Sequence, residues 1–195
     1  IFSPNDTSDT VMAINRSNFS VEDVLGHVWS TLQTCVKLRQ HPMRTPVLST
    51  ISPQNEAQAC VVVLREAEPS KLTCYTDCRS QKWRSLQANN ALSWTFYDPI
   101  QREQVRAVGY ASLHQQDAIS ENAWQNVPLR SRQNYSSNGA PGQPLSTSKQ
   151  PRQNETLEHH YFGVICSTIT SIDWLWLGES GHRRMIWTSE QGGRW

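Results

Sequence analysis

Apolar and polar residues first fall into helical order at residue 21. Val21, Val24, Leu25, Val28, Trp29, Leu32 and Val36 recur at three- and four-residue spacing, which predicts an amphipathic helix with one face on a core. Ser20 stands as its N-cap, and Glu22 and Asp23 place negative charge in the first turn, where the helix dipole favours it. His41-Pro42 is expected to end this helix, because a residue before proline is pushed out of the α region. The period then changes. Residues 45–51 form the first candidate strand, and residues 59–64 are a continuous valine-rich run that predicts one buried strand. Residues 71–76 follow as a strand and 80–89 as a short helix with Trp83 and Leu86 three apart. Leu92, Trp94 and Phe96 alternate with smaller or polar residues, the period of a half-buried strand. Residues 104–113 are another strand, whose Gly109 signals a bulge or a close backbone approach. A helical turn is expected at 121–126, and further strands at 161–178 and 183–188. Six or seven strands separated by turn signals predict a mainly β domain: a closed or nearly closed antiparallel barrel with a few covering helices.

Outside this pattern, residues 1–19 read as a polar lead-in, and residues 134–154, rich in Ser, Asn, Gly, Pro and Gln, read as a long loop. The 195 residues suit one domain, long enough to bury a core without covalent staples. A formal net charge of +1 argues against a broad electrostatic grip on nucleic acid or on an anionic membrane. No apolar run approaches the roughly 20 residues that span a bilayer. The first residues lack the basic and apolar regions of a signal peptide. Five cysteines, Cys35, Cys60, Cys74, Cys78 and Cys166, are odd in number and irregular in spacing, so reduced thiols in a cytoplasmic protein are expected. Cys74-x3-Cys78 with His159-His160 has no second thiol pair at zinc spacing, and no metal is expected.

Four stretches could carry chemistry. In Tyr75-Thr76-Asp77-Cys78-Arg79-Ser80-Gln81-Lys82 a strand gives way to a helix start. Free backbone N–H groups there, with Arg79, Lys82 and the hydroxyls of Thr76 and Ser80, would form a phosphate cradle. An ordinary capped helix with solvated cations is the alternative. Cys60-Val61-Val62-Val63-Leu64-Arg65 is an apolar strand against which a flat ring could lie, with Arg65 facing water or an anionic substrate. Gln104 could satisfy the polar edge of such a ring or simply face solvent. Trp174-Leu175-Trp176, followed by His182, Arg183 and Arg184, would put tryptophans in a core or interface and cations at a strand tip.

In this order the four stretches resemble the FMN-binding split-barrel family related to pyridoxamine 5'-phosphate oxidase, over roughly residues 20–195. The resemblance implies a six-stranded antiparallel split barrel, a two-fold homodimer, and one FMN in each of two clefts at the subunit interface. Val61, Val62, Val63, Leu64 and Arg65 match the segment that lines the flavin ring, and Tyr75 and Thr76 the strand end beside it. Ser80, Gln81 and Lys82 match the family's phosphate element, with Gln81 in place of arginine. Gln104 matches a glutamine that looks at the flavin, and Trp176 with one of Arg183 or Arg184 matches a Trp and Arg that reach the cofactor. Cys60 stands where the family has a phosphate-binding arginine, which Arg79 could replace. The Tyr-x3-Arg element that grips the substrate phosphate is missing from residues 123–127 before Pro128, and Gly139-Ala140-Pro141-Gly142 stands in place of Gln-Ser. The resemblance therefore implies an FMN-dependent oxidoreductase of unknown substrate that does not oxidise pyridoxamine 5'-phosphate, with Arg65, His182, Arg183 and Arg184 on the substrate side. A non-catalytic flavin-binding or flavin-storing protein is the alternative. A flavin-free module using Trp and Arg on single-stranded nucleic acid is a third reading, which the near-zero charge disfavours.

Overall fold

The computed structural model describes residues 19–135, 141, 159–179 and 181–189. The expected lead-in and most of the expected 134–154 loop, including Gly139, Ala140 and Gly142, lie outside these residues. Helix α1 (Val21–Lys37) begins where the sequence places it, in a full capping box: Ser20 Oγ accepts the Asp23 N–H at 3.1 Å, and Asp23 Oδ2 accepts the Ser20 N–H at 3.0 Å. Its predicted face is buried through Val24, Val28, Trp29 and Leu32, with Cys35 beside them.

Eight strands follow rather than six: β1 (Val47–Ile51), β2 (Ala57–Val61), β3 (Leu64–Glu68), β4 (Lys71–Asp77), β5 (Ala91–Asp98), β6 (Glu103–His114), β7 (Phe162–Gly178) and β8 (Gly181–Thr188). Three short helices complete the set: α2 (Gln81–Ala88), α3 (Ala118–Gln125) and α4 (Leu129–Arg132). The sheet order is β2-β1-β5-β6-β7-β4-β3, with β8 also on β7, and every pairing is antiparallel. The two path ends, β2 and β3, are separated in sequence only by Val62 and Val63. A sheet whose edges are joined so closely must curl back on itself, yet no ladder joins β2 to β3. The result is a barrel that stays split.

This corrects the expectation of one buried strand over residues 59–64. That run is the end of β2, a two-residue break and the start of β3. Its β2 part is an edge facing water, with Val61 67% exposed, while Val62 and Leu64 turn into the core. Continuity of apolar residues cannot distinguish one buried strand from two strands joined at a corner. Helix α3 is also longer than the expected turn, because Asp117 and Ser120 form a second capping box upstream of it.

Strand β7 organises the barrel. It spans 17 residues. Its first half pairs with β4 and its second half with β8 along one edge, while β6 runs along the other. The core on the inner face includes Trp94, Phe96, Val105, Ala107, Ile172 and Trp174, each large apolar side chain contributing about 1.5–3 kcal/mol of burial. The indole N–H groups of these two tryptophans are satisfied: Trp94 Nε1 donates to Ser167 Oγ at 3.1 Å, and Trp174 Nε1 donates to Glu103. Glu103 is 1% exposed, and its carboxylate also meets His27 Nε2 on α1 at 3.0 Å. A buried carboxylate persists only with such partners, so this contact fixes α1 against the barrel end.

Gly109 lies at the expected irregularity, where the β6–β7 register shifts. A Cβ there would sit 2.0 Å from the Thr168 carbonyl oxygen, whereas one on Gly26, in α1, would meet nothing within 4 Å. Gly109→Ala is expected to destabilise by about 3 kcal/mol or more, and Gly26→Ala to stabilise by about 0.5–1 kcal/mol. Urea unfolding of both variants checks this; equal midpoints would contradict the close approach of β6 and β7.

Candidate functional site

The turn between β4 and α2 gathers the polar groups that the sequence points to. Thr76 and Ser80 are buried, and their hydroxyl oxygens lie 3.1 Å apart. Lys82, one turn into α2, swings back so that Nζ donates to Thr76 Oγ1 at 3.3 Å. Ser80 is the N-cap of α2, but its hydroxyl makes no capping bond to the helix. The first-turn N–H groups of Gln81, Lys82 and Trp83 have no intrahelical acceptor by position. Free amides, two hydroxyls and an ammonium therefore point at one place, where the helix dipole adds partial positive charge.

Packing holds this turn in position. Trp83 lies against Gly163 of β7, where a Cβ would meet the tryptophan ring at 2.6 Å. Ser85 Oγ donates to Gln58 Oε1 of β2 at 2.9 Å. Helix α2 thus follows β4 on one side of the split and is tied to β2 on the other. The Val62–Val63 break lies beside it, and Leu64 pairs with Cys74, so Arg65, Tyr75 and Thr76 are brought near the same opening.

The local charge balance could not be read from sequence. Asp77 is buried beside the cradle. It accepts from the Arg79 N–H at 2.7 Å, from Nε at 3.0 Å and from Nη2 at 2.7 Å. Arg79 also lies over the Tyr161 ring at 3.7 Å, and its hydrogen bond with Asp77 raises its pKa. Arg79 therefore neutralises Asp77 rather than supplying a second cation to the cradle. Lys82 is the cation bonded to the cradle. Cys60, in the family's arginine position, is half-buried and feels the Lys82 charge, but burial dominates and raises its pKa.

The other expected site residues divide by sheet face. Gln104 pairs with Leu175, which pairs with Arg184, so Gln104 and Arg184 share a row on the outer face. Arg184 Nη2 and Arg106 Nη2 bond Asp173 Oδ2 on that face at 2.8 and 2.7 Å. Arg183 lies on the inner face, where Nη2 donates to the Phe19 carbonyl at 2.9 Å. Trp176 is buried there too. Arg183 and Arg184 thus fall on opposite faces: Arg184 shares the outer-face row of Gln104, with Leu175 of β7 between them, and Arg183 faces inward. Gln81 is exposed, and His182 lies opposite Leu177 at the start of β8. Arg44, in the turn after α1, was not singled out from sequence. It lines a cleft with Arg65 and Tyr75 and belongs to no periodic segment that would have marked it.

Residues 27–115 match the family model of the pyridoxamine 5'-phosphate oxidase FMN-binding domain. The matched segment is similar to the pyridoxamine 5'-phosphate oxidase family. It carries the Val62–Val63 break, the cradle and Gln104, and it ends before Trp176, Arg183 and Arg184. Solved structures place the whole described fold in the same class. A pyridoxamine 5'-phosphate oxidase-related FMN-binding protein from Nostoc punctiforme superposes with a TM-score of 0.71 at 21% identity, covering 91% of this chain and 96% of its own. PhzG from Burkholderia lata, solved with tetrahydrophenazine-1-carboxylic acid, gives 0.68 at 13% identity, covering 89% of each chain. No curated protein matches the chain in sequence. No helix among the described residues is long and apolar enough to cross a membrane.

The thiols give a test of this packing. Burial pushes Cys35, Cys74 and Cys78 up to about 12 and raises Cys60 and Cys166. At pH 8 each thiol stays protonated in the folded state, and only the thiolate reacts. Native protein is expected to react slowly with Ellman's reagent and to release five equivalents in denaturant, matching its five cysteines. Rapid native labelling of Cys78 or Cys74 would contradict the packing of β4 and α2.

Proposed function

We propose that this chain binds FMN with its phosphate in the Thr76–Ser80–Lys82 cradle, and that two copies act together as a flavin-dependent oxidoreductase of unknown substrate. The observation that carries the reading is the convergence of Lys82, Thr76 and a non-capping Ser80 on the free start of α2. That donor set fits a phosphate monoester. Val63, outside either ladder and only partly buried, offers an apolar side chain and backbone groups to a flat ring, with Tyr75 and Arg65 at its edge. Bound FMN would supply a two-electron acceptor, and the protein would supply binding, orientation and a dry surface.

Two copies are proposed because one chain holds the matched residues apart. Thr76 pairs with Gly163 and Gln104 with Leu175, which puts the two positions about 40 Å apart along β7 at ~3.3 Å per residue. A two-fold partner would bring Gln104 and Arg184 of one copy toward the cradle of the other. The outer face supports this. Tyr97, Val108, Tyr110 and Ile186 are exposed on it, more apolar surface than an isolated barrel gains from showing to water. A flavin-storing role is the second reading, favoured by the absence of the family's Tyr and Arg at residues 123–127.

The first test is an absorbance spectrum of the purified chain and identification of what denaturation releases; flavin bands and free FMN are expected. In a flavin titration, Lys82→Ala is expected to raise Kd about tenfold, near 1.4 kcal/mol, and Lys37→Ala, on the exposed end of α1, to leave it unchanged. Equal effects would remove the cradle assignment. Val108→Glu is expected to convert a species of twice the chain mass to one of single mass in light scattering and to weaken FMN as well. A monomeric wild type that holds FMN tightly would refute the shared cleft.

A further inference from the structure

The outer face of β6, β7 and β8 carries an ionic cluster. Arg184 holds Asp173 side-on: Nε donates to Oδ1 and Nη2 to Oδ2, each at 2.8 Å. Arg106, directly opposite Asp173 on β6, donates from Nη2 to the same Oδ2 at 2.7 Å. The Arg184 hydrogen bond holds the Asp173 carboxyl below the ordinary carboxylate range, so it stays ionised near neutral pH. Two guanidiniums and one carboxylate leave a net charge of +1.

That excess is not cancelled on the face itself. No other Asp or Glu stands at an outward position of β5–β8 among the described residues. Glu103 faces the core, and Glu179, in the β7–β8 turn, is paired with Arg102 at 3.7 Å. The second arginine is also more than the fold requires. One side-on guanidinium already neutralises Asp173, and the side chains of Arg106 and Arg184 are 49% and 56% exposed. Ion pairs that open to water add little to stability.

We propose that the Arg106–Asp173–Arg184 triad sets the charge felt by the flavin in the opening of the partner chain, its one excess positive charge favouring the reduced cofactor. The inference rests on the flavin and two-copy reading above, in which the Gln104–Arg184 row of one chain approaches the cradle of the other. A hydride carries two electrons and one proton, so its delivery to the neutral flavin ring leaves the ring with one negative charge. A cation nearby stabilises that state over the oxidised one. Arg106 supplies the excess charge, and Asp173 limits it to one while fixing the Arg184 guanidinium.

The test measures the reduction potential of FMN bound to the full chain, by anaerobic dithionite titration against a reference dye. Arg106→Gln removes the excess charge and is expected to lower the ratio of reduced to oxidised FMN affinity about tenfold, near 30 mV for a two-electron couple. Asp173→Asn adds one positive charge and is expected to shift the potential by a similar amount the other way. Arg106→Lys, which keeps the charge, is expected to stay within about twofold of the wild-type ratio. Added salt should shrink both shifts, because the two arginines are open to solvent. Opposite shifts from the two variants cannot come from a merely loosened site. Shifts of the same sign, or no shift from either, overturn the proposal, while the bound FMN shows that the flavin reading stands. If Asp173→Asn does not fold, Arg106→Gln and Arg106→Lys decide, and equal potentials for those two overturn the proposal. A chain that takes up no FMN overturns it together with the flavin reading.

Discussion

Val62 and Val63 set the constraint on which the rest of the architecture depends. They connect the two ends of a seven-strand path, and the three Cα steps from Val61 to Leu64 span at most about 11 Å. The path must therefore bend through nearly a full turn, and its inner face becomes a closed core. The ladder is not completed across the gap, since Val61 ends paired to Val47 and Leu64 begins paired to Cys74. A complete ladder would place backbone against backbone and leave no opening. The break gives the barrel its closure and leaves Val63 outside any ladder, while the Val62 N–H is held by the Pro46 carbonyl at 3.0 Å.

Helix α2 stabilises that break from outside. Its Trp83 is packed on Gly163, and its Ser85 is bonded to Gln58 across the split. The same helix start that anchors the structure leaves amides and the Ser80 hydroxyl available. The cost of a buried Asp77 beside this positive site is met by Arg79, whose three contacts with the carboxylate leave the field of Lys82 largely unopposed. Within one turn, Arg79 is therefore committed to Asp77 and the fold, while Lys82 is left to the opening proposed to hold a phosphate.

The parts of this arrangement that were legible in sequence are those governed by local period and local chemistry. Helix α1 announced itself through its apolar spacing and the Ser20–Asp23 box. The irregularity at Gly109 was visible as a glycine inside a strand pattern, and the cradle as a strand, a turn and a Ser-x-Lys helix start. The split was not legible, because valines at a corner and valines in a buried strand have the same composition. Nor was the pairing of Asp77 with Arg79, or the approach of Arg44 to Arg65 across residues distant in sequence. The approach of the two arginines depends on how the sheet curls, which no window of the chain encodes, and the Asp77–Arg79 pair, two residues apart, depends on the conformation of the turn. The face of Arg183 and Arg184 followed only from register, since successive strand residues point to opposite sides and a one-residue uncertainty inverts the assignment.

The outer face explains why the arrangement looks unfinished in one copy. Asp173 is nearly buried there and accepts from both Arg106 and Arg184, a paired charge of the kind that tolerates further desolvation better than a lone one. Around it lie Tyr97, Val108, Tyr110 and Ile186, aromatic and aliphatic residues of the sort that anchor interfaces. The combination of a neutralised ionic centre, an apolar surround and Gln104 facing outward is better suited to contact with a surface than to water. In the proposed dimer, the cradle of one chain and the partly apolar outer face of the other would be complementary halves, and a two-fold axis would bring them together twice.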